Sequence, residues 1–202
     1  MDKAVIIFVK NPVAGKVKTR LAASVGDEKA LDIYLQLVYH TMEEIKNTEA
    51  DKYIFFSDAI DEGVANQLPG AYCKVQHGVD LGERMLNAFA TIFSKGYKKV
   101  VIIGTDCPDI TSELLDKAFS ILNKTNVVFG PAIDGGYYLL GMQKLITDLF
   151  FHISWSTNSV LEQSISICES LNKTYDLLQI LSDVDEEKDL FHFYKILKKK
   201  VA

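Results

Sequence analysis

Short runs that are apolar at nearly every position alternate along this chain with longer stretches whose apolar residues recur every three or four positions. Residues 4–9, 53–57, 100–104, 127–130 and 137–141 form the first set, rich in Val, Ile, Phe and Tyr. Strands apolar on both faces are those covered by helices on both sides. In the second set, residues 28–46 carry Leu31, Tyr34, Leu35, Val38, Met42 and Ile45 on one helical face. Residues 81–94 do the same with Met85, Ala88, Phe89 and Ile92, and residues 112–122 with Leu114, Leu115, Ala118, Phe119 and Leu122. A further helix is predicted over 157–171, with Val160, Leu161, Ile165 and Cys168 inward. Asp80 with Glu83, and Thr111, stand where helix-starting caps belong. The run Lys198-Lys199-Lys200 reads as a solvated helix end, where lysine suits the negative pole of the dipole. Strand–helix alternation predicts an α/β fold with a mainly parallel sheet between helical layers.

Bulk properties narrow the class. The 202 residues suit one domain spanning 1–202, and no stretch approaches the 18 consecutive apolar residues of a membrane span. The apolar run after Met1-Asp2-Lys3 is too short for a signal-peptide core, so the reading is cytoplasmic. A net charge of −5 argues against a nucleic-acid partner, which calls for a basic face. Cys73, Cys107 and Cys168 show no CxxC spacing, and His40, His77, His152 and His192 show no ligand spacing, so none receives a metal or catalytic role.

Four segments carry chemistry. The first strand runs into Lys10-Asn11-Pro12-Val13-Ala14-Gly15-Lys16-Val17-Lys18-Thr19-Arg20, a stiffened, positively charged loop in an acidic chain. It is an anion-binding candidate, although it lacks the glycine and the Ser/Thr of a Walker loop, and a solvated basic loop has the same composition. Asp106 follows the apolar strand 100–104, at the sheet edge where open α/β folds bind ligands. There it is a candidate for Mg²⁺, which takes one or two carboxylates plus substrate phosphates; a turn before Pro108 is the plainer use. Asp134-Gly135-Gly136 marks a tight loop beside a ligand or a plain hairpin turn. Asp183 and Asp185 share one face of an extended segment and suit a metal clamp, or else belong to an acidic helix start. Trp155 is either a stacking platform or packing.

The ordered blocks Lys10-x-Pro12-x-x-Gly15-x-x-Lys18-Thr19-Arg20-Leu21, Asp80-Leu81-Gly82-Glu83-Arg84-Met85, Gly104-Thr105-Asp106-Cys107-Pro108-Asp109, Gly130-Pro131-Ala132-x-Asp134-Gly135-Gly136-Tyr137-Tyr138-Leu139, Trp155-Ser156-Thr157 and Asp183-Val184-Asp185 span nearly the whole chain. Together they resemble the bacterial candidate glycosyltransferases of the arsenosugar-biosynthesis type, also known as domain of unknown function 2064. That family is similar to the nucleotide-diphospho-sugar transferases, and the resemblance implies a GT-A-like (Rossmann-like) three-layer sandwich. It implies a transferase whose nucleotide phosphates are held by Pro12, Gly15, Lys16, Lys18, Thr19 and Arg20, with Arg84 joining them from the second block. It implies Mg²⁺ or Mn²⁺ on Asp106, Asp183 and Asp185, and a substrate pocket with Gly135, Gly136, Tyr137 and Trp155. Asp134, beside that pocket, is the candidate catalytic base. Two departures stand out: Asp109 is displaced from the usual Asp-x-Asp spacing, and Glu186 replaces a Thr.

The expected reaction is metal-dependent glycosyl transfer from a nucleoside-diphosphate sugar to a small-molecule acceptor. The same parts also serve nucleotidyl transfer from a nucleoside triphosphate to a small phosphorylated acid, or non-catalytic nucleotide binding.

Overall fold

The first apolar run becomes β1 (Lys3–Val9), an interior strand of a seven-stranded sheet in the computed structural model, which describes residues 2–201. The other strands are β2 (Asp51–Phe56), β3 (Tyr72–Val75), β4 (Lys99–Ile103), β5 (Val127–Pro131), β6 (Tyr137–Met142) and β7 (Tyr175–Leu177). Their order is β3-β2-β1-β4-β6-β5-β7. Every pairing is parallel except those of β6, which runs against both β4 and β5. The reason is connection length. Residues 132–136 span β5 to β6, enough for a hairpin and far short of a parallel crossover. The sheet is therefore mainly parallel, as predicted, with one reversed strand.

Strand alternation divides the core. Val5, Ile7 and Val9 of β1 point to one face with Ile54, Phe56, Val101, Ile103 and Val128, under α2 (Asp27–Ile45) and α5 (Ser112–Ile121). Ala4 and Ile6 point to the other with Tyr53, Phe55, Ile102, Phe129 and Leu140, under α4 (Leu81–Phe93) and α6 (Val160–Ser170). The predicted caps form: Asp80 accepts from the Glu83 amide at 2.8 Å, and Thr111 from the Leu114 amide at 3.3 Å. α1 (Thr19–Val25), the one-turn α3 (Glu62–Ala65) and α7 (Leu190–Val201) are the remaining α-helices among the described residues. α1 and α7 meet part of α2 in a third, smaller cluster of Leu21, Ala30, Ile33, Leu37, Val184, Leu190 and Phe193. The Lys198-Lys199-Lys200 run lies in α7; Lys198 is exposed, and the side chains of Lys199 and Lys200 fall outside the described residues. Among the described residues, no helix is long and apolar enough to cross a membrane.

Candidate active site

A cleft of about 880 Å³ opens at the carboxyl ends of β1 and β4 and the amino end of β6. This is the edge where open α/β sheets bind ligands, and the volume is in the range of small-molecule sites. Strand ends, not helix faces, supply most of its polar groups.

The basic loop enters the cleft by one residue more than any other. The Lys16 amide closes a turn on the Val13 carbonyl at 3.0 Å, with Gly15 at φ 75°. Val17 then buries its side chain in the sheet core. Lys18 takes a left-handed backbone (φ 48°, ψ 45°), a conformation that costs a non-glycine residue about 1–2 kcal/mol. Its ammonium runs inward, with the side chain 4% exposed, and meets Asp106 Oδ1 at 2.6 Å and Asp185 Oδ1 at 3.4 Å. Arg20 lies at the rim, 73% exposed, with Nη1 3.5 Å from Asp185 Oδ2.

The three carboxylates arrive by two routes that are tied together. Asp106 follows β4, and its carbonyl accepts from the Val184 amide at 2.9 Å. Val184 is buried in the third cluster, so Asp183 and Asp185 on either side of it face the cleft. Asp189 caps this strap, its Oδ2 accepting from the amides of Asp185 and Glu186 at 3.0 and 2.8 Å. Asp109 points elsewhere: its Oδ2 lies 2.7 Å from His192 Nε2 on α7. His40 of α2 meets the Pro108 carbonyl at 2.8 Å. Two histidines without a sequence-level role thus hold the 106–109 loop from behind.

Electrostatics mark the same spot. Burial works against the charge on Lys18, yet Asp106, with Asp185 and Asp183 adding, raises its pKa above the ordinary lysine value. Asp183 is pushed up to about 7, first by burial and then by Asp106, with Lys18 offsetting and Asp185 and Asp134 adding. Asp106 Oδ1 is buried, and its close partner is the Lys18 ammonium, whose charged form is stabilised by both the Asp106 charge and a side-chain hydrogen bond to Asp106. The Cys107 thiol is buried and its pKa is driven up mainly by that burial, which disfavours a thiolate nucleophile.

Of the phosphate-binding set, Lys18, Thr19, Arg20 and Arg84 line the cleft. Pro12, Gly15 and Lys16 do not: the turn that sends Lys18 inward leaves Lys16 exposed outside, and Gly15 serves the turn. Arg84 is oriented by its Nε, which donates to the Gly78 carbonyl at 3.1 Å. Asp134, Gly136, Tyr137 and Trp155 also line the cleft, whereas Gly135 does not. A Cβ on Gly135 would lie 2.1 Å from the Asn158 carbonyl oxygen, so its role is to let two backbones meet. Asp134 is exposed, and its Oδ1 accepts from the Gly136 amide at 2.9 Å, within the short hairpin loop between β5 and β6. Trp155 leans over Gly82 so closely that a Cβ there would fall 2.3 Å from its Nε1. Gln76 and Ser57 also line the cleft and were not anticipated. Gln76 is held by the Phe55 carbonyl at 2.8 Å, and Ser57 Oγ accepts from the Asn11 amide at 3.0 Å. Neither residue stands out by type or spacing in the sequence.

Among the described residues, no group of three or more His, Cys, Asp or Glu side chains is arranged to hold a metal by itself. Asp106 and the Asp183/Asp185 pair nevertheless offer hard oxygen donors, one of them buried with the Lys18 ammonium as its close partner. That set suits a hard divalent cation that brings phosphate ligands with it, rather than a cation caged by protein alone.

Residues 41–157 match the family described as uncharacterized protein conserved in bacteria (DUF2064). A protein from Desulfovibrio desulfuricans G20, described as a candidate nucleotide-diphospho-sugar transferase, superimposes with a TM-score of 0.90 at 32% identity, over 98% of this chain and 95% of that one. The inositol-1-phosphate CTP transferase of T. maritima (TM-score 0.62, 17% identity, 98% and 96% covered) shares the fold. So does Rv0371c of Mycobacterium tuberculosis H37Rv in complex with manganese (TM-score 0.60, 13% identity, 96% and 99% covered). At those identities the likeness speaks for fold alone. No curated protein matches the chain.

Proposed function

We propose, for a chain that belongs to the DUF2064 family of bacterial proteins, a metal-dependent glycosyl transfer from a nucleoside-diphosphate sugar to a small-molecule acceptor. The protein is a transferase. Residues 1–202 act as one nucleotide-diphospho-sugar transferase-like domain. The observation that carries the reading is the buried Lys18 ammonium clasped between Asp106 and Asp185, with Asp183 beside them, at the mouth of the cleft. A diphosphate bound with a divalent cation requires fixed charges of both signs at one place, and this is such a place.

Asp106, Asp183 and Asp185 would hold Mg²⁺ or Mn²⁺, which supplies a Lewis acid that neutralises charge on the departing nucleoside diphosphate. Lys18 and Arg20 bind the phosphates, and Arg20 offers its guanidinium fork from the rim. Arg84, whose Nε is held by the Gly78 carbonyl, brings a third cationic donor to the cleft. The sugar's anomeric carbon exchanges its bond to the phosphate oxygen for one to an acceptor hydroxyl, whose proton passes to Asp134. One oxygen of Asp134 is engaged by Gly136, which leaves the other for that proton. Gly136, Tyr137 and Trp155 bound the side where sugar and acceptor sit.

The test is incubation with Mn²⁺ and UDP-, GDP- and dTDP-sugars, with nucleoside diphosphate release as the readout. Release that disappears in Asp106→Asn supports the reading. Pyrophosphate release from a nucleoside triphosphate, with no diphosphate released from any sugar donor, would replace it with nucleotidyl transfer.

A further inference from the structure

The position of Lys18 raises a question that the transfer reading does not answer. Its ammonium already sits on one oxygen each of Asp106 and Asp185, two of the three carboxylates assigned to the cation. At 2.6 Å from Asp106 Oδ1 and 3.4 Å from Asp185 Oδ1 it is the nearest positive charge to both. Asp106 Oδ1 has no other polar partner. Arg20 reaches only the second oxygen of Asp185, from a side chain that is 73% exposed. The Asp106 and Asp185 side chains are 43% and 42% exposed, but Asp106 Oδ1 and Lys18 itself are buried, so a divalent cation on the same oxygens would face a like charge at contact distance.

We infer that Lys18 is a tethered counter-ion that excludes free divalent cation from this site and yields the carboxylates only when phosphate arrives with it. The species recognised is then the cation–nucleoside-diphosphate complex, not the cation followed by the nucleotide. The inference rests on the metal–nucleotide reading above and adds an order to it. Two features make the exchange local. Val17 and Leu21, buried on either side, anchor the backbone, so the left-handed turn at Lys18 can stay in place. The lysine stem is long and flexible and can redirect its ammonium from carboxylate to phosphate without main-chain movement. Phosphate oxygens replace the anions that Lys18 gives up, so the ammonium remains paired throughout.

Titration with Mn²⁺ alone, followed by loss of the free-ion EPR signal, tests this directly on the full-length protein. Lys18→Met keeps a side chain of similar length and imposes the same backbone demand, and Lys18→Arg keeps the charge. The expected result is that Lys18→Met binds free Mn²⁺ more tightly than wild type by on the order of tenfold, a usual size for mutually exclusive interactions, while Lys18→Arg stays close to wild type. UDP and GDP binding by equilibrium dialysis, with and without Mg²⁺, provides the second arm. If Lys18→Met binds Mn²⁺ no more tightly than wild type, yet nucleotide binding needs Mg²⁺ and fails in Asp106→Asn, the counter-ion role is overturned and the metal–nucleotide reading stands. If no form binds Mn²⁺ and nucleotide binding ignores Mg²⁺, both fall. Should Lys18→Met fail to fold, ¹⁵N NMR of the wild-type lysine ammonium groups decides. The Lys18 signal should hold its position at Mg²⁺ levels that populate the site only with nucleotide, and move when Mg²⁺ and UDP or GDP are added together. A signal unmoved at saturation by both overturns the inference.

Discussion

Asp183→Asn should stabilise the ligand-free protein, and should do so only above mildly acidic pH. Asp183 is held partly buried among Asp106, Asp185 and Asp134, with Lys18 the compensating charge, and its pKa rises from 3.8 to about 7. A carboxyl that binds its proton more tightly in the folded state contributes most to stability below pH 3.8, where both states are protonated. That contribution is lost as pH rises from 3.8 toward 7, because the unfolded chain ionises while the folded carboxyl still holds its proton. The interval corresponds to a ceiling of about 4 kcal/mol. Local relaxation and water at the cleft mouth reduce it, so about 2 kcal/mol is the expected gain from asparagine at pH 8. Asparagine keeps the shape of the protonated acid and removes the repulsion, so at pH 4.5 most of the gain should disappear.

Urea unfolding of both proteins at pH 4.5, 6 and 8 measures the difference, and acid effects common to both cancel. A variant less stable than wild type at pH 8, or a gain of equal size at all three pH values, would refute the electrostatic argument. Ligand should reverse the ranking. Saturating Mn²⁺ with a nucleoside diphosphate stabilises whichever protein binds it, by mass action, and Asp183→Asn should gain less.

Asp106→Asn should abolish Mn²⁺-dependent nucleoside diphosphate release while leaving the circular dichroism spectrum unchanged, since the Asp106 backbone bond to Val184 survives the substitution. Gly82→Ala would place a Cβ 2.3 Å from Trp155 Nε1 and should cost about 1–3 kcal/mol. Trp155 is the single tryptophan, so a shift in intrinsic emission reports its displacement, and unchanged emission with unchanged Tm would contradict the packing. Val184→Ala removes a side chain that is 1% exposed and should cost about 1.5–2.5 kcal/mol in urea unfolding. It should also weaken UDP or GDP binding in the presence of Mg²⁺, measured by equilibrium dialysis; unaltered affinity would mean that the strap is not positioned through Val184.

The parts of the fold that were legible are those whose periodicity comes from burial on both sides. β1, β4 and α2 repeat apolar residues because two layers cover them, and their observed bounds fall within two residues of the pattern. β3 and β7 escaped because they are edge strands, half-exposed and short, where Tyr72-Cys73-Lys74-Val75 and Tyr175-Asp176-Leu177 carry no alternation. Asp106 was readable from its place at the end of an apolar run, and Asp183 and Asp185 from their alternate spacing. Which lysine enters the cleft was not. Lys16 and Lys18 are equivalent by type, and the choice is made by the burial of Val17 and a positive φ, neither of which has a sequence period. The pairing of Asp109 with His192 joins positions 83 residues apart and leaves no local trace, so the departure from Asp-x-Asp spacing acquired its reason only in three dimensions.

The distribution of apolar contacts explains how such a crowded set of charges stays in place. Leu21 follows Arg20 in α1, and Val184 separates Asp183 from Asp185. Both side chains are buried in the same small cluster, with Ala30, Ile33 and Leu37 of α2 and Leu190 and Phe193 of α7. The cationic wall and the anionic wall of the cleft therefore stand on one shared base, apart from the two cores that hold the sheet to its helices. Repulsion among Asp106, Asp183 and Asp185 pushes the strap outward, and burial of Val184 and Phe193 opposes it. Because α7 belongs to that base, His192 on Asp109 and Phe193 against His40 tie the C-terminal helix to the Asp106 loop as well. Substitutions in this cluster should thus act on ligand affinity more strongly than equal losses of apolar contact elsewhere in the sheet, since they alter the spacing of opposed charges rather than the layers that carry them.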